Sequence, residues 1–360
     1  MYKRQVELCS GFNFLYGHNG AGKTAVLEAV HLLARGRSFR TPKVSTIIAH
    51  GQPQLVIRGD VVNSVGQHLA LATSKSRNGR TELRINGHTE LRASALAKHL
   101  PVQTLLPQAA DLVLGGPGER RGFLDWGVFH VEQRFVDVSR NYRRVLNQRN
   151  AWLKSLGGQD PGAGRDPWLK QLCELGIQIG EMRDAYIGQF VPLFHGALNQ
   201  LSPQLAVRVE YDWGGLHGSG EAEKKLGESW PRDVKFGVTH RGPHRADLRF
   251  ITGAQDASDT VSRGQAKLIS SAAVLAQAEL LYRHSNAKSL VLIDDFGAEL
   301  DAEHWQRFLS TLLGLECQVL ATSTLALDTT QSWVNELQEL RVFHVKQGRI
   351  ERQIPEASGT

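Results

Sequence analysis

Between an apolar run, Phe12 to Tyr16, and a stretch with Val26, Leu27, Val30 and Leu33 at helical spacing, the chain reads Gly17-His-Asn-Gly-Ala-Gly-Lys-Thr24. This loop follows a predicted strand and opens a predicted helix over Thr24 to Ala34, the context in which G-x-x-x-x-G-K-[ST] has a physical meaning. Gly17, Gly20 and Gly22 let the backbone turn tightly with its N–H groups facing inward, and His18, Asn19 and Ala21 complete the loop. The helix N-terminus adds positive potential. Lys23 can reach the β- and γ-phosphates of a nucleoside triphosphate, and the Thr24 hydroxyl can coordinate Mg²⁺. The bland alternative is a glycine-rich turn capped by a surface lysine. The motif specifies a ligand, not what its energy is used for.

A second block, Leu290-Val-Leu-Ile-Asp-Asp295, is an apolar strand ending in two carboxylates, the pattern called Walker B. A carboxylate at the end of a strand beside the loop can hold Mg²⁺ through its water shell, which assigns Asp294 to the metal. Asp295 then orients or deprotonates the attacking water. Without the loop, the pair could instead be only a strand-terminating turn. Val261-Ser-Arg-Gly-Gln265 resembles the ABC signature LSGGQ and precedes both the helical run Ala266 to Tyr282 and the Walker B strand, in the ABC order. Taken alone, Ser262, Arg263, Gly264 and Gln265 read as a helix N-cap. Ala298-Glu-Leu-Asp301 lies where the D-loop does in this superfamily, and Thr322-Ser-Thr where the sensor or switch residue is found. In ABC ATPases the signature contacts the γ-phosphate bound to the opposite subunit. The resemblance therefore implies ATP as the cofactor with Mg²⁺ and a head-to-tail, ATP-dependent homodimer that hydrolysis dissolves.

The fold class expected is α/β, an ABC-type P-loop ATPase head with a mixed sheet and an inserted α-helical lobe. Gln54 to Asp60, His68 to Thr73 and Thr81 to Gly87 are short alternating stretches between polar turns, which predicts a small antiparallel meander. From about Trp126 the texture becomes helical: Phe135, Val138, Tyr142, Val145, Leu146, Trp152 and Leu156, and then Trp168, Leu172, Leu175, Ile179, Met182 and Tyr186, flank a Gly/Pro loop over 157–167. These are either an antiparallel heptad hairpin with the loop at its tip or two amphipathic core helices. Ser289 to Ile293 and Gln318 to Ala321 are buried-strand candidates around a helix from Ala302 to Leu313. The expected division is 1–105 and 235–360 for the ATPase lobe, with 106–234 as the helical arm.

At 360 residues, 41% hydrophobic and 22% charged, the chain can bury a substantial core, and two lobes are the natural prior. Cys9, Cys173 and Cys317 are far apart and in no CxxC pattern, which points away from a disulfide framework or zinc site and towards a reducing cytosol. No apolar run approaches the roughly 18 to 20 residues of a membrane-spanning helix, so a cytoplasmic protein with no membrane partner is expected. The formal charge of +6 favours a polyanionic partner, though many enzymes that never touch nucleic acid carry as much.

Further blocks resemble the RecF family: Ala34-Arg-Gly-Arg-Ser-Phe-Arg40, Gly115 to Trp126, His240-Arg-Gly-Pro-His-Arg-Ala-Asp247 and Asp294 to Asp301. With the phosphate loop and signature they span residues 12 to about 323. The resemblance implies heads like those of SMC-type proteins without the long coiled coil, and binding of gapped or single-strand/double-strand junction DNA. It also implies work with RecR and RecO in loading RecA, and slow DNA-dependent hydrolysis of ATP. Gln108 stands where a γ-phosphate-sensing glutamine is expected. Candidates for DNA phosphate contacts are Arg35, Arg37, Arg40, Arg120, Arg121, Arg143, Arg144 and Arg149. Arg120 and Arg121 could equally brace a lobe junction, and His244 and Asp247 could be structural partners. Met1 to Leu8 do not resemble the family's opening strand, so its place in the sheet is open. The rival readings are the ATP-binding subunit of an ABC transporter and a clamp with vestigial hydrolysis.

Overall fold

The computed structural model describes residues 5–353, apart from 64, 218–220, 298–301, 329–330 and 336. It forms two compact units: Met1–Ala109 with Ala197–Ser202 and Ser270–Thr360, and Ala110–Gly196 with Pro203–Ile269. The expected boundaries at 105 and 234 shift accordingly. Residues 235–269, expected in the ATPase lobe, belong to the helical unit, because strand Asp247–Thr252 is hydrogen-bonded to Arg208–Asp212.

In chain order the strands are Phe12–Tyr16 (β1), Gln54–Val62 (β2), His68–Ser76 (β3), Thr81–Ile85 (β4), His88–Glu90 (β5), Val102–Leu105 (β6) and Arg208–Asp212 (β7). They continue with Asp247–Thr252 (β8), Gln255–Asp256 (β9), Leu290–Ile293 (β10), Gln318–Ser323 (β11), Leu340–Lys346 (β12) and Arg349–Gln353 (β13).

The first unit is built on a six-stranded sheet of order β13-β12-β1-β11-β10-β6. All pairings are parallel except β12 with β13, so the sheet is mixed as expected. β10 is buried along its whole length, the pattern of a strand covered on both faces. On one face Leu15, Leu292 and Leu320 pack with Leu27 and Leu33 of the helix Lys23–Arg35. Phe12 and Phe14 instead meet Phe296 in edge-on ring contacts with centroids 6.0 and 5.8 Å apart. The predicted meander is a separate antiparallel sheet, β2-β3-β4-β5, in which Leu69, Leu71, Thr73 and Lys75 alternate inward. Gln5 to Cys9 form no strand, although Val6 and Leu8 pack against the core. The chain enters β1 through Asn13, whose side chain accepts from the Cys9 N–H at 2.8 Å and donates to Cys9 O at 3.0 Å and Val319 O at 3.2 Å.

The second unit carries the helices Pro117–Val131 and Phe135–Ser155, most of Leu169–Leu201, and the small sheet β7-β8-β9. The geometry favours core helices over a free hairpin. Arg149, in the middle of the Phe135–Ser155 helix, is fully buried. Its Nε donates to Asp166 Oδ2 at 2.7 Å, and one terminal nitrogen to Asp233 Oδ2 at 2.8 Å and Thr239 Oγ1 at 2.6 Å. The loop expected at a hairpin tip is therefore tied inward through Asp166, beside the packed rings of Trp152, Trp168 and Trp230. An arginine with two buried carboxylates cannot also serve a DNA backbone, which corrects the expectation for Arg149. Removing it strands both charges. We expect Arg149→Ala to lose about 3–5 kcal/mol of stability in denaturant unfolding; an unchanged midpoint would contradict this account.

Two histidines are held neutral. Burial, with Arg35 adding repulsion, pushes His31 down to about 4, and burial does the same to His244. His31 Nδ1–H donates to Arg37 O; His244 Nε2–H donates to Thr239 O while its Nδ1 accepts from the Tyr142 hydroxyl. His244 is thus a structural partner. An unfolded chain takes up these protons below about 6.5, whereas the folded chain resists until about 4. Their contribution is complete above the upper value and is lost as pH falls through the window, at roughly 3 kcal/mol per histidine. Denaturant unfolding at stepped pH should show that decline, and His31→Asn should reduce it by about half.

Candidate nucleotide-binding site

The loop 17–22 joins the central strand β1 to the helix Lys23–Arg35 at the carboxyl edge of the sheet. Its shape is fixed at both ends. The Gly17 N–H donates to Ser323 O at 3.3 Å, and the Ala21 carbonyl accepts the Gly348 N–H at 2.8 Å. Gly17 sits at φ 153°, and a Cβ there would lie 2.2 Å from Val345 O, so the position admits no side chain. Lys23 is buried, and its ammonium donates to Gly17 O at 2.6 Å and His18 O at 3.1 Å, which folds it back across the loop. An ammonium there supplies a compact positive charge, which suits the phosphates of a triphosphate.

β10 runs parallel to β11 and β6, which brings Asp294 beside the loop. Thr24 Oγ1 donates to Asp294 Oδ1 at 3.1 Å. One hydroxyl and one carboxylate form an all-oxygen pair that leaves further positions to water and phosphate, which suits a small hard cation such as Mg²⁺. Among the described residues there is no cluster of three or more His, Cys, Asp and Glu able to hold a metal; Thr24 and Asp294 are the candidates because their side chains meet. Asp295 follows at φ 63°, a left-handed conformation that costs a non-glycine residue roughly 1–2 kcal/mol. Its N–H donates to Thr322 Oγ1 at 3.1 Å. The next residue, Phe296, lies among Phe12, Phe14, Trp305 and Trp333 and donates its N–H to Thr322 O at 2.6 Å. The aromatic cluster holds the turn that carries Asp295.

Gln108 is exposed in the turn after β6, the strand paired with β10, on the same sheet edge as Asp294. Ser262, Arg263, Gly264 and Gln265 belong to the other unit and are all exposed. The Gln265 N–H donates to Ser262 Oγ at 3.2 Å, and Gln265 Oε1 accepts the Ser262 N–H at 2.9 Å. That is a reciprocal capping box, so the N-cap reading holds as local structure while the segment stays open to solvent. The D-loop residues Ala298 to Asp301 lie outside the described residues.

The arginine candidates divide. Arg120 is buried and bidentate to Asp247, at 2.8 and 2.9 Å, and also donates to Gly115 O at 2.7 Å. Arg121 donates to Ala246 O at 2.8 Å. Both brace the 240–247 segment, which favours the bracing alternative for this pair over DNA contact. Arg35 is half-buried, donates to Val102 O at 2.9 Å, and is pushed down to about 9 by burial and Arg37. It too is committed to the fold. Arg37, Arg40, Arg143 and Arg144 are exposed.

Sequence reasoning missed the hairpin β12–β13 as a buttress of the loop, through Val345 and Gly348. Its signal was Gln347-Gly348 between two alternating runs, a turn with both residues at positive φ. The aromatic cluster around Phe296 left none, since its members are far apart in the chain.

A family model described as the RecF/RecN/SMC N terminal domain matches residues 2–351. A protein named DNA replication and repair protein RecF, from Pseudomonas syringae pv. syringae (strain B728a), is 39% identical over 338 residues, covering 94% of this chain and 91% of that protein. Among solved structures, that of the recombination mediator protein RecF with ATP, in the RecFOR pathway, has a TM-score of 0.86 at 24% identity, covering 98% of this chain and 94% of that one. The Smc head domain derived from Pyrococcus furiosus has a TM-score of 0.53 at 14% identity, covering 97% and 91%. These two likenesses speak to the fold. Fold and phosphate loop together define an ABC-type ATPase head. Within that class, the chain belongs to the RecF family.

Gly17→Ala should cost about 1–3 kcal/mol of stability or an equivalent loss of nucleotide affinity, because the new Cβ must displace the Val345 backbone. Fluorescent-nucleotide titration and melting of the variant check it; unchanged values in both would show that the loop has slack.

Proposed function

We propose that this chain is an ATP-dependent, DNA-binding recombination mediator of replication-fork and gap repair, acting at gapped or single-strand/double-strand junction DNA with RecR and RecO to promote RecA loading. The observation that carries the reading is the bond between Thr24 and Asp294, which brings the phosphate loop and the paired carboxylates into one site. Membership in the RecF family supports the repair role, and no described helix is long and apolar enough to cross a membrane. A cytoplasmic setting fits both.

In this reading Gly17 to Thr24 cradle the phosphates of ATP, Lys23 neutralises the outer ones, and Gln108 senses the terminal one. Bound Mg²⁺ supplies charge neutralisation at the transferring phosphoryl group. Thr24 and Asp294 hold the metal; Asp295 orients the attacking water and accepts its proton. Ser262 to Gln265 of a second copy close over the nucleotide, which their exposure permits. ATP then links two chains and slow hydrolysis separates them. The transporter alternative draws no support from the family assignment.

Light scattering with ATP and Mg²⁺ tests the association directly. Lys23→Met should lose nucleotide binding, Asp295→Asn should trap a nucleotide-bound dimer, and Ser262→Arg should bind ATP yet stay monomeric; normal dimerisation of Ser262→Arg would remove the signature from the interface. For DNA, the exposed arginines are the candidates that remain. Replacing Arg143 and Arg144 together by Glu should weaken junction binding and reduce the salt slope by about 2, with no change in melting temperature. A parent-like salt slope would place the contact elsewhere.

A further inference from the structure

Thr322 is the penultimate residue of β11 and is fully buried. Its hydroxyl donates to Asp294 Oδ1 at 2.6 Å and accepts the Asp295 N–H at 3.1 Å, and its carbonyl accepts the Phe296 N–H at 2.6 Å. One residue thus binds three consecutive positions of the turn after β10. A hydroxyl has a single proton, and here it is spent on Asp294, which leaves a lone pair for Asp295. Thr24 donates to the same Oδ1 from the loop side. Two hydroxyls from different elements converge on one carboxylate oxygen, so the carboxyl group is held with Oδ2 turned away from both donors. Asp295 is kept at its left-handed φ of 63° partly through the same side chain.

We propose that Thr322 is a positioning residue that sets the orientation of Asp294 and Asp295 together. This rests on the ATPase reading above. Mere satisfaction of a buried strand end would need only one polar partner for the hydroxyl. Convergence of two acids on one side chain is what a residue acting through others looks like, and loss of such outer partners typically costs about 10–100-fold in metal affinity or activity.

The test compares Thr322→Val, which keeps the shape and loses the hydroxyl, with Thr322→Ser, which keeps the hydroxyl, and Thr322→Ala as a smaller companion. Melting temperature, affinity for a fluorescent ATP analogue with and without Mg²⁺, and steady-state hydrolysis are measured on the full chain. Val and Ala should lower kcat about 10–100-fold with KM within about 3-fold, and reduce the Mg²⁺-dependent gain in nucleotide affinity about 10-fold or more, while metal-free affinity holds. Ser should restore both readouts to within about 3-fold. Parent-like kcat and Mg²⁺ gain in Val and Ala, or a Ser variant as defective as Val, overturns the inference. A parent chain that binds nucleotide but never hydrolyses it overturns the ATPase reading instead, and the Mg²⁺ gain still decides the role of Thr322.

Discussion

A single carboxylate oxygen ties together three segments that meet only in the folded chain. Asp294 Oδ1 accepts from Thr24, 270 positions earlier, and from Thr322, 28 positions later. The strand order makes this possible: β1 and β10 flank β11, so the phosphate loop, the acidic turn and the end of β11 emerge along one edge. Buried strands on both sides fix the spacing, because a slip of one residue in a parallel ladder would move the whole polar set off that edge. Core packing and site geometry are in this sense one constraint.

Much of the first unit could be read from the chain because its signals are local. The phosphate loop declares itself by spacing within eight residues, Gly17 to Thr24, and the flanking strand and helix appear where expected, with the helix beginning at Lys23. The meander follows from period-two alternation, and β10 from an unbroken apolar run. What escaped is long-range. Nothing near Phe296 announces that Phe12, Phe14 and Trp333 will surround it, and nothing near Gly17 announces Val345. The division into units was misjudged for a similar reason: β8 pairs with β7, a partnership that periodicity cannot reveal.

The arginines show the limit most sharply. A guanidinium looks the same in sequence whether it faces solvent or a buried acid, and only the fold separates Arg143 and Arg144 from Arg149. The cationic character of the second unit is partly internal. Arg120 with Asp247, and Arg149 with Asp166 and Asp233, are neutralised where they stand, so residue counts overstate the positive field available to a polyanion.

The hairpin β12–β13 has a consequence for the order of events during synthesis. β1 leaves the ribosome long before both its neighbours, β11 and β12, and the Ala21 carbonyl finds its partner only at Gly348. A nascent chain that stops before those residues holds the glycine loop as an unsupported segment beside an unpaired apolar strand. Competence to bind ligand therefore waits on residues 318–348, and until they are made β1 is an aggregation-prone edge.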